Sequence, residues 1–205
     1  MEKILTIFMF ALLSVSFCAQ AKQKTLELTT ELEAESTLNI HVAVGELEIS
    51  RYSGDQVKVT VAVKPQNDWH WGSDDYDINN ATLEVDRHSD QLHLEIPIDG
   101  TEQDWRVMVP HAIHLRLDVG VGEVDVQDAD RDVRVDVGVG EVDISLAHDD
   151  YRSISADSGV GSADIKGLQN IEHERTMVSE SSQVDGAGQY RVNVDVGVGD
   201  IDIRR

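Results

Sequence analysis

One ten-residue phrase is written repeatedly into the second half of this chain, and it constrains the fold more than any other feature. Leu117-Asp118-Val119-Gly120-Val121-Gly122-Glu123-Val124-Asp125-Val126 returns as Val135-Asp136-Val137-Gly138-Val139-Gly140-Glu141-Val142-Asp143-Ile144. A worn copy runs from Ala156 to Ile165 and a final copy from Val194 to Ile203. An earlier copy, Ile40 to Ile49, carries Ala43 in place of the first glycine. The first glycines, at 120, 138, 159 and 197, lie 18, 21 and 38 residues apart, and the last gap spans two periods with a degenerate unit around Thr176 to Val184. A unit of about 19 residues suits one coil of a β-solenoid rather than a helical repeat.

Within a unit the apolar period is two, the signature of a strand. Leu115, Leu117, Val119 and Val121 are expected to face inward; after Gly122-Glu123 the series resumes out of phase at Val124 and Val126. A bend at the second glycine restores the inward face. The same reading applies to Val133 through Val139 with Val142 and Ile144, and to Val192 through Val198 with Ile201 and Ile203. No unit buries its apolar face alone, so units must stack. Stacking sets Asp118, Asp136, Asp157 and Asp195 in one outward ladder and Asp125, Asp143, Asp164 and Asp202 in another. At about 4.8 Å between rungs, like charges in water repel by about 1 kcal/mol per neighbouring pair, so the ladders must be solvated, screened or bridged by cations.

Upstream the alternation is less regular. Strands are predicted at Thr25–Leu32, Thr37–Ile49, Gln56–Lys64, Ala81–Asp86, Gln91–Ile96 and Trp105–Val109, with a polar insertion from Pro65 to Asn80. The fold class is therefore all-β: a single β-solenoid-like domain over residues 22–205, with an irregular half at 22–110 and regular repeats at 111–205.

The first 21 residues read as a secretory signal peptide. Met1-Glu2-Lys3 precedes an apolar run from Ile4 to Leu13, and Ala19-Gln20-Ala21 offers a cleavage site. Cys18 is the one cysteine, and Phe17 stands where lipid attachment requires a small residue. Export is the expectation, to the periplasm first, with the cell surface or the medium as alternatives. The 205 residues carry 17 Lys+Arg against 39 Asp+Glu, a net charge of −22. Nucleic acid is thereby excluded as a partner, and no membrane insertion is expected after cleavage.

The segment Arg106-Val107-Met108-Val109-Pro110 feeding Leu115 to Val126, the strand-rich lead-in and the later Gly-Val-Gly units resemble the bacterial envelope family known as "putative adhesins", a domain of unknown function (4097). The resemblance covers most of residues 25–205. It implies a β-solenoid-like fold and an exported location, and it supplies no catalytic residues.

Chemistry-bearing motifs are sparse. Gly-Val-Gly occurs once per unit, unlike the paired glycines of calcium-binding nonapeptides, and Gly120-Val121-Gly122 lacks the third glycine and following helix of a dinucleotide loop. Asp75-Tyr76-Asp77-Ile78-Asn79-Asn80 with Asp86 is spaced like an EF-hand loop, but Asn80 stands at the turn glycine. Trp69, His70, Trp71 and Tyr76 form a candidate interaction loop that either stacks on sugars or partners or covers the end of the solenoid. The eight histidines show no metal-ligand spacing. No catalytic, cofactor or metal-ligand residue is assigned. The expected function is a non-catalytic exported β-repeat module, structural or adhesin-like, whose partner is an envelope protein or a glycan. Calcium binding and polysaccharide binding or processing are the alternatives, and open sheet edges make self-association a further expectation.

Overall fold

The computed structural model describes residues 23–66, 78–175 and 178–205. Among them are thirteen strands and one 3-10 turn, Ile78–Asn80. In chain order the strands are β1 (Lys24–Glu31), β2 (Thr37–Tyr52), β3 (Gln56–Pro65), β4 (Glu84–His88), β5 (Gln91–Glu95), β6 (Thr101–Pro110) and β7 (His114–Ala129). They continue as β8 (Val133–Leu146), β9 (Tyr151–Val160), β10 (Ala163–Lys166), β11 (Glu172–Arg175), β12 (Glu180–Asp185) and β13 (Tyr190–Arg204). The six upstream strands read from alternation all exist, with ends displaced by a few residues. All thirteen belong to one sheet, which does not close.

That sheet is creased along a line of glycines, and four long strands, β2, β7, β8 and β13, cross the crease. Their first halves form one wing and their second halves another. At one end the sheet forks about β2: Thr37–His41 pairs with β5, which pairs with β4, while Gly45–Tyr52 pairs with β6, which leads to β3 and β1. At the other end β13 divides in the same way, its first half against β9 and its second half against β10.

The crease explains the motif. Gly45, Gly122, Gly140, Gly161 and Gly199 have φ between +143° and +153°, where a side chain is strained. A Cβ at Gly140 would lie 1.7 Å from Gly122 O, and one at Gly199 would lie 1.7 Å from Gly140 O. The motif's first glycine is also crowded, since a Cβ on Gly120 would meet Ala43 O at 2.5 Å. Ala43 itself is tolerated because it sits in the fork, past the last β5 pair at His41 and before the first β6 pair at Gly45.

Both wings line one core, in which Leu117, Val119, Val124 and Val126 are all buried. The inward series is one residue shorter than the period-two reading implies. Val121, Val139, Val160 and Val198 lie immediately before the crease and are 46–50% exposed. The bend begins one residue earlier than expected and turns this valine outward, so the core row ends at Val119.

Stacking is parallel and in register across Val42, Val119, Val137 and Val196. It does not follow chain order. β13 lies between β8 and β9, and the described part of the degenerate unit does not join the parallel stack: β12 pairs antiparallel with β9, and β11 antiparallel with β12. The apolar rows account for this order. Val192, Val194, Val196, Ile201 and Ile203 of β13 match Val133, Val135, Val137, Val142 and Ile144 of β8. The row of β9 ends in the small Ala156 and Ser158, with Ser158 Oγ donating to Gly199 O at 2.8 Å.

A buried ion pair ties the irregular half to the repeats. Arg51 Nε lies 3.2 Å from Asp130 Oδ1, and Arg51 Nη1 donates to Pro110 O at 3.1 Å. His111 Nδ1 closes on the other Asp130 oxygen at 2.7 Å, and Tyr151 donates to Ala129 O at 2.5 Å. Burial raises the Tyr151 phenol well above its ordinary range, which keeps it a donor.

Candidate functional site

Parallel, in-register pairing carries every outward residue onto the matching residue of the next rung. Three acidic rails result. The aspartate rail is Asp118, Asp136, Asp195 and Asp157, with His41 as its first rung. The outer rail, on the second wing, is Glu48, Asp125, Asp143, Asp202 and Asp164. Between them, just past the crease, runs a hinge rail of Glu46, Glu123, Glu141 and Asp200. The crease itself carries a ladder of valines: Val44, Val121, Val139, Val198 and Val160.

The rails differ in how the chain neutralises them. On the outer rail Arg106 pairs with Glu48 at 3.5 Å, Arg204 with Asp143 at 3.5 Å and Asp202 at 3.8 Å, and Lys166 with Asp202 and Asp164. On the aspartate rail Arg134 spans Asp136 at 2.9 Å and Asp195 at 3.8 Å, and His41 faces Asp118 at 3.4 Å. Among the described residues no Lys, Arg or His pairs with Glu46, Glu123 or Glu141. Lys64 reaches only Asp104, on the neighbouring β6 rung.

Electrostatics follow the geometry. Loss of solvent, followed by repulsion from Glu46 and Glu141, holds the Glu123 carboxyl above its ordinary range. Asp125 is raised chiefly by burial, with Asp143 and Glu48 adding to it, and Asp157 by burial and Asp195. Asp200 is lowered, because the Ser162 hydroxyl and amide both donate to it.

Two concavities lie along the crease. One, of about 510 Å³, is bounded by Val44, Val121, Glu46, Glu123 and Glu141 and closed by Glu102 and Asp104 of β6. The other, of about 730 Å³, has the glycines 120, 138, 197 and 159 as its floor, the aspartate rail along one side and the β11–β12 hairpin as its wall. Both are lined mainly by carboxylates and by glycine backbone. Ser182 and His173 stand 2.6 Å apart, but Ser182 Oγ is buried and donates to Ala163 O at 2.5 Å, so its proton is engaged away from the imidazole.

Trp69, His70, Trp71 and Tyr76 lie outside the described residues, as do Asp75 and Asp77 of the EF-hand-like segment. Its described part enters the core at Ile78, and Asp86 sits on β4 beside His88 at 3.0 Å. Several histidines among the described residues face acids: His93 faces Glu95, and His114 faces Glu35 and Asp132. No group of His, Cys, Asp and Glu among the described residues is placed to hold a metal ion. Both aspartate ladders expected from the sequence do form on the outside. The valine ladder was missed, although its signal is present in every unit: a valine directly preceding the glycine that must bend.

The family model for the N-terminal domain of toast_rack, DUF2154, matches residues 18–166. The chain belongs to that family. A Clostridium sporogenes structure titled a "putative cell adhesion protein" is 19% identical, with a TM-score of 0.51 over 88% of this chain and 99% of that one. A Bacteroides fragilis "putative adhesin" is 13% identical, with a TM-score of 0.32 over 88% and 97% of the two chains. At this identity the first likeness establishes the β-solenoid-like architecture and nothing about activity. No curated protein matches the chain.

Proposed function

We propose that the protein is a non-catalytic interaction module of the bacterial cell envelope, exported by its first 21 residues and adhesin-like in working through a repetitive surface rather than a reacting pocket. The supporting observation is the in-register display itself. Three acidic rails and a valine ladder are repeated rung by rung on a backbone whose bending glycines admit no side chain. Such a surface is rigid and periodic, and it suits recognition more than chemistry. The name of the Clostridium structure agrees with this reading, as does the signal-peptide pattern of residues 1–21. The periplasm is the compartment we assign.

Fractionation of cells carrying the tagged full chain tests the reading. The expected result is a periplasmic protein whose amino terminus is Lys22 and which cross-links in intact cells to an envelope component. A cytoplasmic chain retaining residues 1–21, or one that captures nothing in the envelope, would contradict it.

A further inference from the structure

The crease exposes its valines where the sequence period called for burial. Val121, Val139, Val160 and Val198, in register and each about half exposed, extend a row that the more buried Val44 begins, and such a row is an unusual thing to present to water. Among the described residues no Lys, Arg or His pairs with Glu46, Glu123 or Glu141 on the rail beside it, although the two neighbouring rails are served by Arg106, Arg134, Arg204 and Lys166. These are independent observations: one is apolar exposure and the other is charge left unmet. They converge in the 510 Å³ groove, where Val44 and Val121 lie against Glu46, Glu123 and Glu141.

We propose that the valine ladder and the hinge rail together form a docking groove for a Lys/Arg-bearing, partly apolar segment of a partner polypeptide. Charge complementarity decides the occupant. A second copy would bring another net charge of −22 and the same acidic rails, and an anionic membrane or nucleic acid would be repelled likewise. A segment with apolar side chains on the ladder and cationic ones on the rail satisfies both features. It also relieves the repulsion among Glu46, Glu123 and Glu141. Five rungs about 4.8 Å apart make a ladder of about 19 Å, the reach of about six residues in extended conformation. This inference rests on the interaction-module reading and names the class of partner that module takes.

The test uses the full chain and a labelled synthetic peptide of alternating Lys and Val, followed by fluorescence anisotropy at physiological salt. The expected result is saturable binding that a Lys-Ser peptide of equal charge and a Glu-Val peptide do not reproduce. Val121→Thr with Val139→Thr should weaken it about tenfold or more, as should Glu123→Gln with Glu141→Gln, equivalent to about 1.4 kcal/mol each. Asp125→Asn with Asp143→Asn, on the outer rail, should leave it within about twofold. Equal binding of the Lys-Ser peptide, an equal loss with the outer-rail pair, or no binding at all overturns the proposal. The peptide comparison uses the unaltered chain, so it stands even if a variant misfolds. Failure here with the envelope cross-link intact removes the groove and leaves the module; loss of the cross-link removes the module itself.

Discussion

The inner rungs and the outermost rung of the repeat carry the same glycine motif and meet different fates. β7, β8 and β13 have full apolar rows and are paired on both sides through both wings. β9 and β10 hold the worn copy, with Ala156 and Ser158 in place of valines, and are separate strands: β9 continues into an antiparallel hairpin and β10 pairs with β13 alone. Wear in the motif therefore records distance from the centre of the stack rather than order along the chain. A rung with parallel neighbours on both sides must match two apolar rows, and it has no slack for a small or polar side chain. An edge rung matches one.

The largest effect separating these regions should come from the crease. Gly140→Ala forces a side chain onto Gly122 O at an unfavourable φ, and it should cost at least about 3 kcal/mol in urea unfolding. Ala43→Gly, at the uncrowded fork, should cost about 1 kcal/mol or less. Arg51→Met strips the buried Asp130 Oδ1 of its cation, leaving His111 and Arg131 on the other oxygen, and should cost about 3 kcal/mol, loosening the join between the irregular half and the repeats. Val194→Ala, on the doubly paired β13, should cost about 2 kcal/mol, whereas Val198→Ala on the same strand should cost about 0.5 kcal/mol, because only the first is buried.

The smallest effect is on acidity. Glu123, Asp125 and Asp157 hold protons to higher pH in the folded chain than in the unfolded one. The folded state therefore binds more protons through that window, and stability falls as pH rises through it. Asp200 acts in the opposite sense, its contribution disappearing as pH falls through its lowered value. The three raised groups set the expected direction: Tm at low salt should rise as pH is lowered from neutrality into the carboxylate range, with Asp200 opposing the rise at the acid end. Molar salt should flatten the dependence.

Much of this architecture was legible. Alternating valines gave the strands, and the phase slip at each second glycine gave the crease. Repetition gave the outward aspartates their register, because parallel coils of nearly equal length must align like with like. Two features were not legible for physical reasons. Local periodicity cannot say which rung neighbours which, so nothing along the chain announced that β13 would enter between β8 and β9. Nor does it say where a bend starts: period two carries Val121 inward as readily as Val119, and only the three-dimensional crease separates them. The valine ladder and its unneutralised rail followed from that second blind spot, and with them the candidate docking groove.

The stacking order is the claim on which the rails, the crease and the groove all depend, and paired cysteines on the valine ladder test it directly. In a chain carrying Cys18→Ser, a short thiol cross-linker should join Val139→Cys to Val198→Cys, which are partners on adjacent rungs, and should leave Val139→Cys with Val160→Cys unjoined, since β13 stands between them. Efficient joining of the second pair with failure of the first would mean that the coils follow the chain, and it would contradict the sheet described above.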